Sequence, residues 1–583
     1  MLKTVAPIFL GICICLIGGL SGCNSTSSEQ TENKNKAGKD TYRTGELAVQ
    51  HGMELFNQHC ASCHNFSENG IGPNLAGVTM EVDKEWLLSF VANPPGIIES
   101  GDARAVALFE KYQQYMPPFP MIQEEDLEDI FGFIHKFSQG ERRSKNNRPG
   151  GLINPIPDKI AFSNLTLMLE KKLVVPASAE SAPKTRINKM EAIPGNRLFL
   201  HDLRGKLYEI KNDSSLSVYL DLAETLPNFT DNPGKGTGFG SWAFHPDFVN
   251  NGLFYTTHNE PTGTAPADFA VPDSVRVAVQ AVVMEWNTVN PLSGTFAGTH
   301  RELLRVDMVS GAHGFQELTF NPLATPDTDD YGLLYLGIGD GAAALGGHPY
   351  LCNSNQYIWG TVIRIDPAGS NSVNGRYGIP KDNPFVDVPN ALGEIWSTGF
   401  RNPHRISWDL NGSGKMFITN IGQHSLEEVN LGIAGADYGW PEREGTFLFD
   451  VDANPELVYP LPEDDGDFTY PVAQYDHDEG TAVSGGFAYA GTEVPELMGK
   501  YIFGDISRGT LFYSEVDEMI NGQQAPVYKL KVSMNGELVD LEKITEGRRV
   551  DLRLGTDTEK ELYILTKGNG FVYKVVGCEE IVL

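Results

Sequence analysis

Apolar residues are spaced in two different ways along this chain, and the change of spacing divides it. In residues 47–58, Gly52 and Phe56 lie four apart, and residues 124–137 carry apolar positions at helical period behind a first turn of acids, the charge a helix N-terminus favours. Both segments predict helices. Residues 140–157 are polar and rich in Arg, Asn, Gly and Pro, and read as a linker. Beyond them the pattern turns to short apolar runs behind small turn residues. Six stand out, at 195–200, 251–256, 331–336, 414–419, 499–504 and 560–565. The chain is therefore expected to be multidomain: a small all-α domain over 42–139, then an all-β domain over 158–578 built as a six-bladed β-propeller, with an array of β-sandwiches as the alternative. Residues 264–310 and 447–470 read as long loops on one face, where propellers build their sites.

The start of the chain bears on location. Lys3 precedes an apolar run of ~16 residues, short of the ~20 that a spanning helix needs. The run ends in Leu20-Ser21-Gly22-Cys23, which resembles the lipobox of a bacterial lipoprotein. That resemblance implies a signal peptide over 1–22, a lipidated Cys23 and an exported protein facing the periplasm or the cell exterior. An uncleaved anchor is the alternative. Residues 23–41, rich in Ser, Asn, Glu and Lys, read as a flexible tether.

Cys60-Ala61-Ser62-Cys63-His64 is the spacing at which two thiols add to haem vinyls while the adjacent imidazole ligates the iron. Such a motif implies electron transfer. The carbonyl of Pro73, in Gly72-Pro73-Asn74-Leu75, is placed to accept the Nδ1 proton of His64 and leave Nε2 for iron. Gly52 suits close helix packing, and the Phe56 ring suits the buried edge of a haem. Met116, in Tyr115-Met116-Pro117-Pro118-Phe119, is the expected sixth ligand, with Met121 as competitor. This context resembles the ligand loop of small class I cytochromes c, over residues 43–139. Of the 7 cysteines, Cys13, Cys15 and Cys23 belong to the signal and Cys60 and Cys63 to haem. Cys352 and Cys578 are left, and a disulfide between them is open.

A formal net charge of −31 argues against nucleic acid as a partner and against direct adhesion to anionic headgroups, because the long-range field repels both. The expected membrane contact is the lipid anchor.

Five motifs then occur in order: Trp242 to Phe248 (WAFHPDF), Gly337 to Gly341 (GIGDG), Gly378 to Phe385 (GIPKDNPF), Gly399 to Pro403 (GFRNP) and Asp437 to Pro441 (DYGWP). Together they resemble the soluble glucose/sorbosone dehydrogenases, six-bladed propellers that use pyrroloquinoline quinone (PQQ) with calcium to oxidise aldoses, over residues 160–577. The resemblance implies roles for particular residues. His313 would take the proton from the anomeric hydroxyl, imidazole having a pKa near neutrality. Arg401 and Asn402 would contact PQQ, the guanidinium binding carboxylates and stabilising the reduced quinone. The carbonyls of Gly422 and Gln423 would bind the cofactor calcium. Glu427, Glu428 and Tyr438 suggest a second, structural calcium, though paired acids on a loop are more often simply solvated.

The chain also departs from that pattern. Where the family has a lysine reaching PQQ, the segment from Gly504 to Gly509 offers Ser507, with Arg508 as a substitute. In the paired-arginine segment Arg548 matches, but Val550 stands at the second position, and Arg549 or Arg553 compensates only if its side chain faces the centre. Gly236 or Lys235 stands where a glutamine is expected, and Ala312 where an acid precedes the base. The expected function is a quinohaemoprotein that oxidises a sugar and passes electrons through haem c to an external acceptor, such as another cytochrome or a respiratory component. A catalytically inactive carbohydrate-binding propeller carrying an electron-transfer cytochrome is the alternative, and a lactone-hydrolysing propeller ranks behind both.

Overall fold

The computed structural model describes residues 42–580, except 62, 65, 67–71, 113–114, 120–121, 139–147, 181–182, 213, 235, 464–465 and 546–548. Cys23, Met121, Lys235 and Arg548 lie outside the described residues. Residues from Tyr42 onward form one compact unit.

Helical spacing at both ends of the first domain yields its two long helices, α1 (Glu46–His59) and, after four shorter ones, α6 (Glu124–Ser138). Between them come α2 (Val78–Glu81), α3 (Lys84–Ala92), α4 (Pro94–Glu99) and α5 (Ala103–Tyr112). These had no strong periodic signal. Local chemistry starts two of them: Asp83 accepts from the N–H groups of Glu85 and Trp86, and Asn93 from that of Gly96. The long helices pack directly, because a Cβ on Gly52 would lie 1.9 Å from the Asp129 carbonyl oxygen. Phe56 is buried against Phe66 and Phe133 rather than on the cavity wall, a correction to its expected place at the haem edge.

The rest is β-sheet. Sheet A joins Ile187–Ile193, Arg197–Asp202, Lys206–Ile210 and Leu216–Asp221 in chain order. Sheet B joins Trp242–Phe244, Leu253–Pro261, Val279–Thr288 and Gly298–Met308. Sheet C runs from Phe315–Phe320 through Leu334–Ile338 and Thr361–Ile365 to Ile395–Ser397. Sheet D runs from Pro403–Trp408 through Met416–Asn420 and Leu426–Leu431 to Ala473–Asp476. Sheet E has nine strands. Val483–Ala488, Lys500–Asp505, Leu511–Glu515 and Tyr528–Met534 form one run, with Glu537–Val539 added to its last strand. Leu552–Thr556, Leu562–Thr566 and Phe571–Glu580 form another, and Phe162–Val174 joins the two, parallel to Tyr528–Met534 and antiparallel to Phe571–Glu580. The start and end of the β-region are thus hydrogen-bonded together. Each of the apolar runs read from the sequence is the second strand of its group, the position buried on both sides by sheet neighbours.

The first strands of these groups meet one another in turn, 242–244 with 315–320, then 403–408, 483–488, 552–556 and 187–193. Their loops therefore open on common ground. Residues 264–310 are not one long loop, since the last two strands of sheet B, Val279–Thr288 and Gly298–Met308, lie within them. Residues 447–470 lie partly in a three-stranded ribbon, Arg443–Glu444, Phe447–Phe449 and Val458–Tyr459, which receives the linker through a bridge between Leu152 and Val458. Cys352 and Cys578 are both free thiols, so no disulfide joins them.

Candidate active site

The haem-type motif sits at the end of α1. There the helix stops at Cys60, whose N–H still reaches Phe56, and the chain turns so that Cys60, Cys63 and His64 line a cavity. His64 Nδ1 donates to the Pro73 carbonyl at 2.9 Å, the bond expected from the sequence, which leaves Nε2 as the ligating nitrogen. Met116 lines the same cavity, together with apolar walls from Trp86, Phe109, Ile130 and Phe131. Two thiols, an imidazole of set tautomer, a thioether and an apolar lining are the donor set a covalent haem requires, so the residues fit that group.

The second part of the site is assembled by glycine motifs that let separate segments approach. His313 stands just before the first strand of sheet C with φ 48°, a conformation uncommon for a residue with a side chain. A Cβ on Gly339 would lie 2.3 Å from the His313 carbonyl, and one on Gly399 would lie 2.2 Å from Asp437 Oδ1, so the GIGDG, GFRNP and DYGWP segments interlock only through glycine. What they assemble is a histidine–carboxylate pair. His313 Nδ1 donates to Asp340 Oδ1 at 2.8 Å, and Asp340 Oδ2 accepts from Trp440 Nε1 at 3.0 Å. Burial pushes the Asp340 carboxyl up, but the His313 bond and the charge of Arg401 outweigh it and hold the group below its ordinary value. Asp340 is the acid that the sequence reading sought at Ala312; it comes from the next strand turn, 27 residues away.

Arg401 is buried, stacks near Trp440, and donates from Nε to Gln423 Oε1 at 2.7 Å and from Nη1 to the Ile421 carbonyl at 3.2 Å. Asn402 is placed by its N–H bond to Asn420 Oδ1. Asn402 Oδ1, Gln423 Nε2 and His404 Nδ1 are buried polar atoms without a hydrogen-bond partner, and all three residues line the cavity. Such orphans mark a place for a polar guest. Gly422 and Gln423 also line it, and among the described residues neither of their carbonyls accepts a hydrogen bond. Arg186, Arg549, Arg553 and Lys567 add positive charge to the wall. Orphaned donors and acceptors, spare carbonyls and a cationic wall suit a polycarboxylate quinone with calcium, so the residues fit PQQ as well.

Two expectations are corrected. Arg508 is exposed and donates to the carbonyls of Asp478 and His477, away from the cavity, because its neighbour Asp505 caps the turn that carries it outward. Glu427, Glu428 and Tyr438 do not converge on one ion. Successive residues of a strand face opposite ways. Glu427 accepts from His477 and the Val483 N–H, whereas Glu428 accepts from Asn420, Asn430 and the Gly445 N–H. The Tyr438 hydroxyl donates to the Leu431 carbonyl. These oxygens already hold N–H groups or a carbonyl that a calcium ion would have to displace. Burial pushes Glu428 up to about 7 despite its three donors. Gly236 faces the cavity, while Lys567, Arg186 and His404 are lining residues that the motifs did not identify. An isolated lysine behind an apolar strand gives no signal in one sequence.

The haem-type residues and His313, which Asp340 backs from behind the wall, meet at one continuous cavity of about 580 Å³. A helical domain with a haem motif thus stands ahead of a large sheet domain that carries a histidine–carboxylate pair. The chain belongs to the glucose/sorbosone dehydrogenase family, whose model matches residues 185–570, and a cytochrome c model matches residues 49–138. The HIPL2 protein of Arabidopsis thaliana is 27% identical over 358 residues, covering 53% of this chain and 49% of its own. Quinoprotein glucose dehydrogenase B of Acinetobacter calcoaceticus is 26% identical over 282 residues, with 45% and 52% covered. The chain spans about half the length of these curated relatives. A crystal structure of the soluble aldose sugar dehydrogenase from Escherichia coli superposes with a TM-score of 0.50 at 18% identity, covering 72% of this chain and 100% of its own, which establishes a shared fold.

Proposed function

We propose that this protein oxidises an aldose or related sugar at the anomeric carbon with PQQ and calcium, and passes the electrons to a covalently bound c-type haem. The observation that carries the reading is one cavity lined both by His313, whose Nδ1 bonds to Asp340, and by Cys60, Cys63, His64 and Met116. When bound, PQQ would supply a two-electron acceptor polarised by calcium. His313, its Nδ1 tied to Asp340, presents Nε2 to accept the anomeric hydroxyl proton, and Asp340 stabilises the imidazolium that results. Asp340 is itself held by Trp440 and the Ala342 N–H, so the base is oriented before substrate arrives. Arg401 and Asn402 would contact the quinone, and the carbonyls of Gly422 and Gln423 would hold the calcium. Arg401 keeps its place through Gln423 and Ile421 and brings a full charge to a wall closed from solvent. Placing the haem in the same unit gives the first acceptor a high effective concentration.

The architecture under this reading is a six-bladed propeller, in which sheet E counts as two blades and the strand Phe162–Val174 closes the ring from the N-terminal side. Cys23 would carry the lipid that anchors an exported protein, with an external cytochrome or respiratory component downstream. A binding-only propeller is not favoured, since it leaves the oriented His313–Asp340 pair and the orphaned cavity groups without a task.

The test is the visible spectrum of the holo-cytochrome, first shown free of PQQ, then given PQQ and calcium and a panel of aldoses with no other reductant. Sugar-dependent reduced haem bands that vanish when PQQ is omitted are expected. No reduction across the panel, with the haem still reducible by dithionite, would overturn the reading.

A further inference from the structure

Positive charges around the cavity outnumber the carboxylates that pair with them. Arg186 pairs with Asp231 at 3.2 Å and Arg549 with Asp551 at 2.6 Å. Among the described residues Arg553 makes no direct ion pair: its Nε donates to Asn188 Oδ1 at 2.6 Å and its Nη1 to the Leu552 carbonyl at 2.8 Å. Among the described residues Lys567 Nζ has neither a hydrogen bond nor an ion pair. Both side chains are 7% exposed, and both line the cavity. A buried ammonium with no partner forfeits its hydration for nothing in return unless an anion arrives or the group gives up its proton.

The backbone holds the pair in this position. Asp551 sits at φ 48°, and its carbonyl accepts the Lys567 N–H at 3.4 Å, tying the turn before strand Leu552–Thr556 to the end of strand Leu562–Thr566. Thr185 Oγ1 donates to the Lys567 carbonyl at 2.8 Å. Lys567 is therefore fixed on its main chain while its amine is left over. Burial and the neighbouring Arg553 drive that amine well below its ordinary value, and burial takes the Arg553 guanidinium down to about 10, Asp551 opposing in both cases. An anion arriving beside them would favour the charged form of both groups.

We infer that Lys567 and Arg553 form the clamp for the cofactor's carboxylates, in place of Arg508, which points outward. This rests on the reading of the cavity as a PQQ site. Arg553 offers a planar fork and Lys567 a movable point charge, two complementary ways to meet carboxylates. The sugar cannot take this role, because neutral hydroxyls would leave both charges uncompensated.

The experiment is equilibrium binding of PQQ, with calcium, to the full-length haem-loaded protein, followed by quinone absorbance in the dialysed fractions, with thermal unfolding of the cofactor-free protein as a second readout. Lys567→Met is expected to weaken PQQ at least tenfold and to raise the melting temperature of the cofactor-free protein, since it removes an unpaired buried charge. Lys567→Arg should restore most of the affinity, Arg553→Gln should weaken it comparably, and Arg508→Gln should leave it unchanged. Wild-type affinity in Lys567→Met, or an equal loss in Arg508→Gln, would overturn the clamp while leaving the PQQ site standing. A wild-type protein that takes up no PQQ would overturn the site and the clamp together.

Discussion

At the residue scale the chemistry depends on pairs that lie far apart in the chain. His313 was identifiable from its segment, but its orienting acid was not, because the Asp340 carboxylate reaches it only after the chain has run out along one strand of sheet C and back. Asp340→Asn should therefore leave the haem spectrum intact and lower sugar-dependent kcat by about 10²-fold or more, in line with the worth of a positioned acid–base group. The cations teach the same lesson. Arg508 and Arg549 are both plausible on paper, and only the turn at Asp505 and the strained Asp551 decide that the first leaves the cavity and the second lines it.

At the element scale, legibility followed periodicity. The helix ends of α1 and α6 fell within a residue or so of the apolar pattern, and each β-run proved to be a second strand, where burial on both sides makes the apolar signal continuous. The short helices α2 to α5 escaped because none is long enough to repeat an apolar period several times, and α3 and α4 start on single caps, Asp83 and Asn93. The long strands of sheet B escaped because residues 264–310 are rich in turn residues at their start and mask the pairing that follows. Gly52 is the glycine whose reason was legible in outline and whose magnitude needed the structure. With Asp129 O 1.9 Å from the position of its missing Cβ, Gly52→Ala must push α1 off α6. The haem domain should lose about 1–3 kcal/mol or more, the range for overpacking. Thermal melts followed at the Soret band should drop, while those followed by the sheet domain's far-UV signal should not.

At the scale of the whole molecule, the two domains meet at identifiable points. The Phe66 N–H donates to Glu456 Oε1 at 2.7 Å, Arg276 pairs with Asp126 at 3.1 Å, and a methyl group on Gly234 would lie 3.8 Å from Pro117. The exposed Arg276–Asp126 pair is worth little by itself, about 0–1 kcal/mol. Glu456 matters more, since it belongs to the ribbon insertion of sheet D and satisfies a buried turn next to the haem motif. Haem reduction after sugar should be first order and independent of protein concentration, and Glu456→Ala should slow it without changing the haem spectrum. Stopped-flow traces at several concentrations decide this, and a rate proportional to concentration would place electron transfer between molecules instead. By itself the sequence determined the haem motif with its Pro73 partner, the change from helix to sheet and the family motifs, because each is a local pattern imposed by covalent spacing or by strand and helix period. Tertiary structure alone decided which carboxylate orients His313, which cations face the cavity and that the haem motif and His313 share it. Those facts depend on side-chain direction across segments brought together by glycine contacts and by pairing between the start and end of the β-region, which no local pattern encodes.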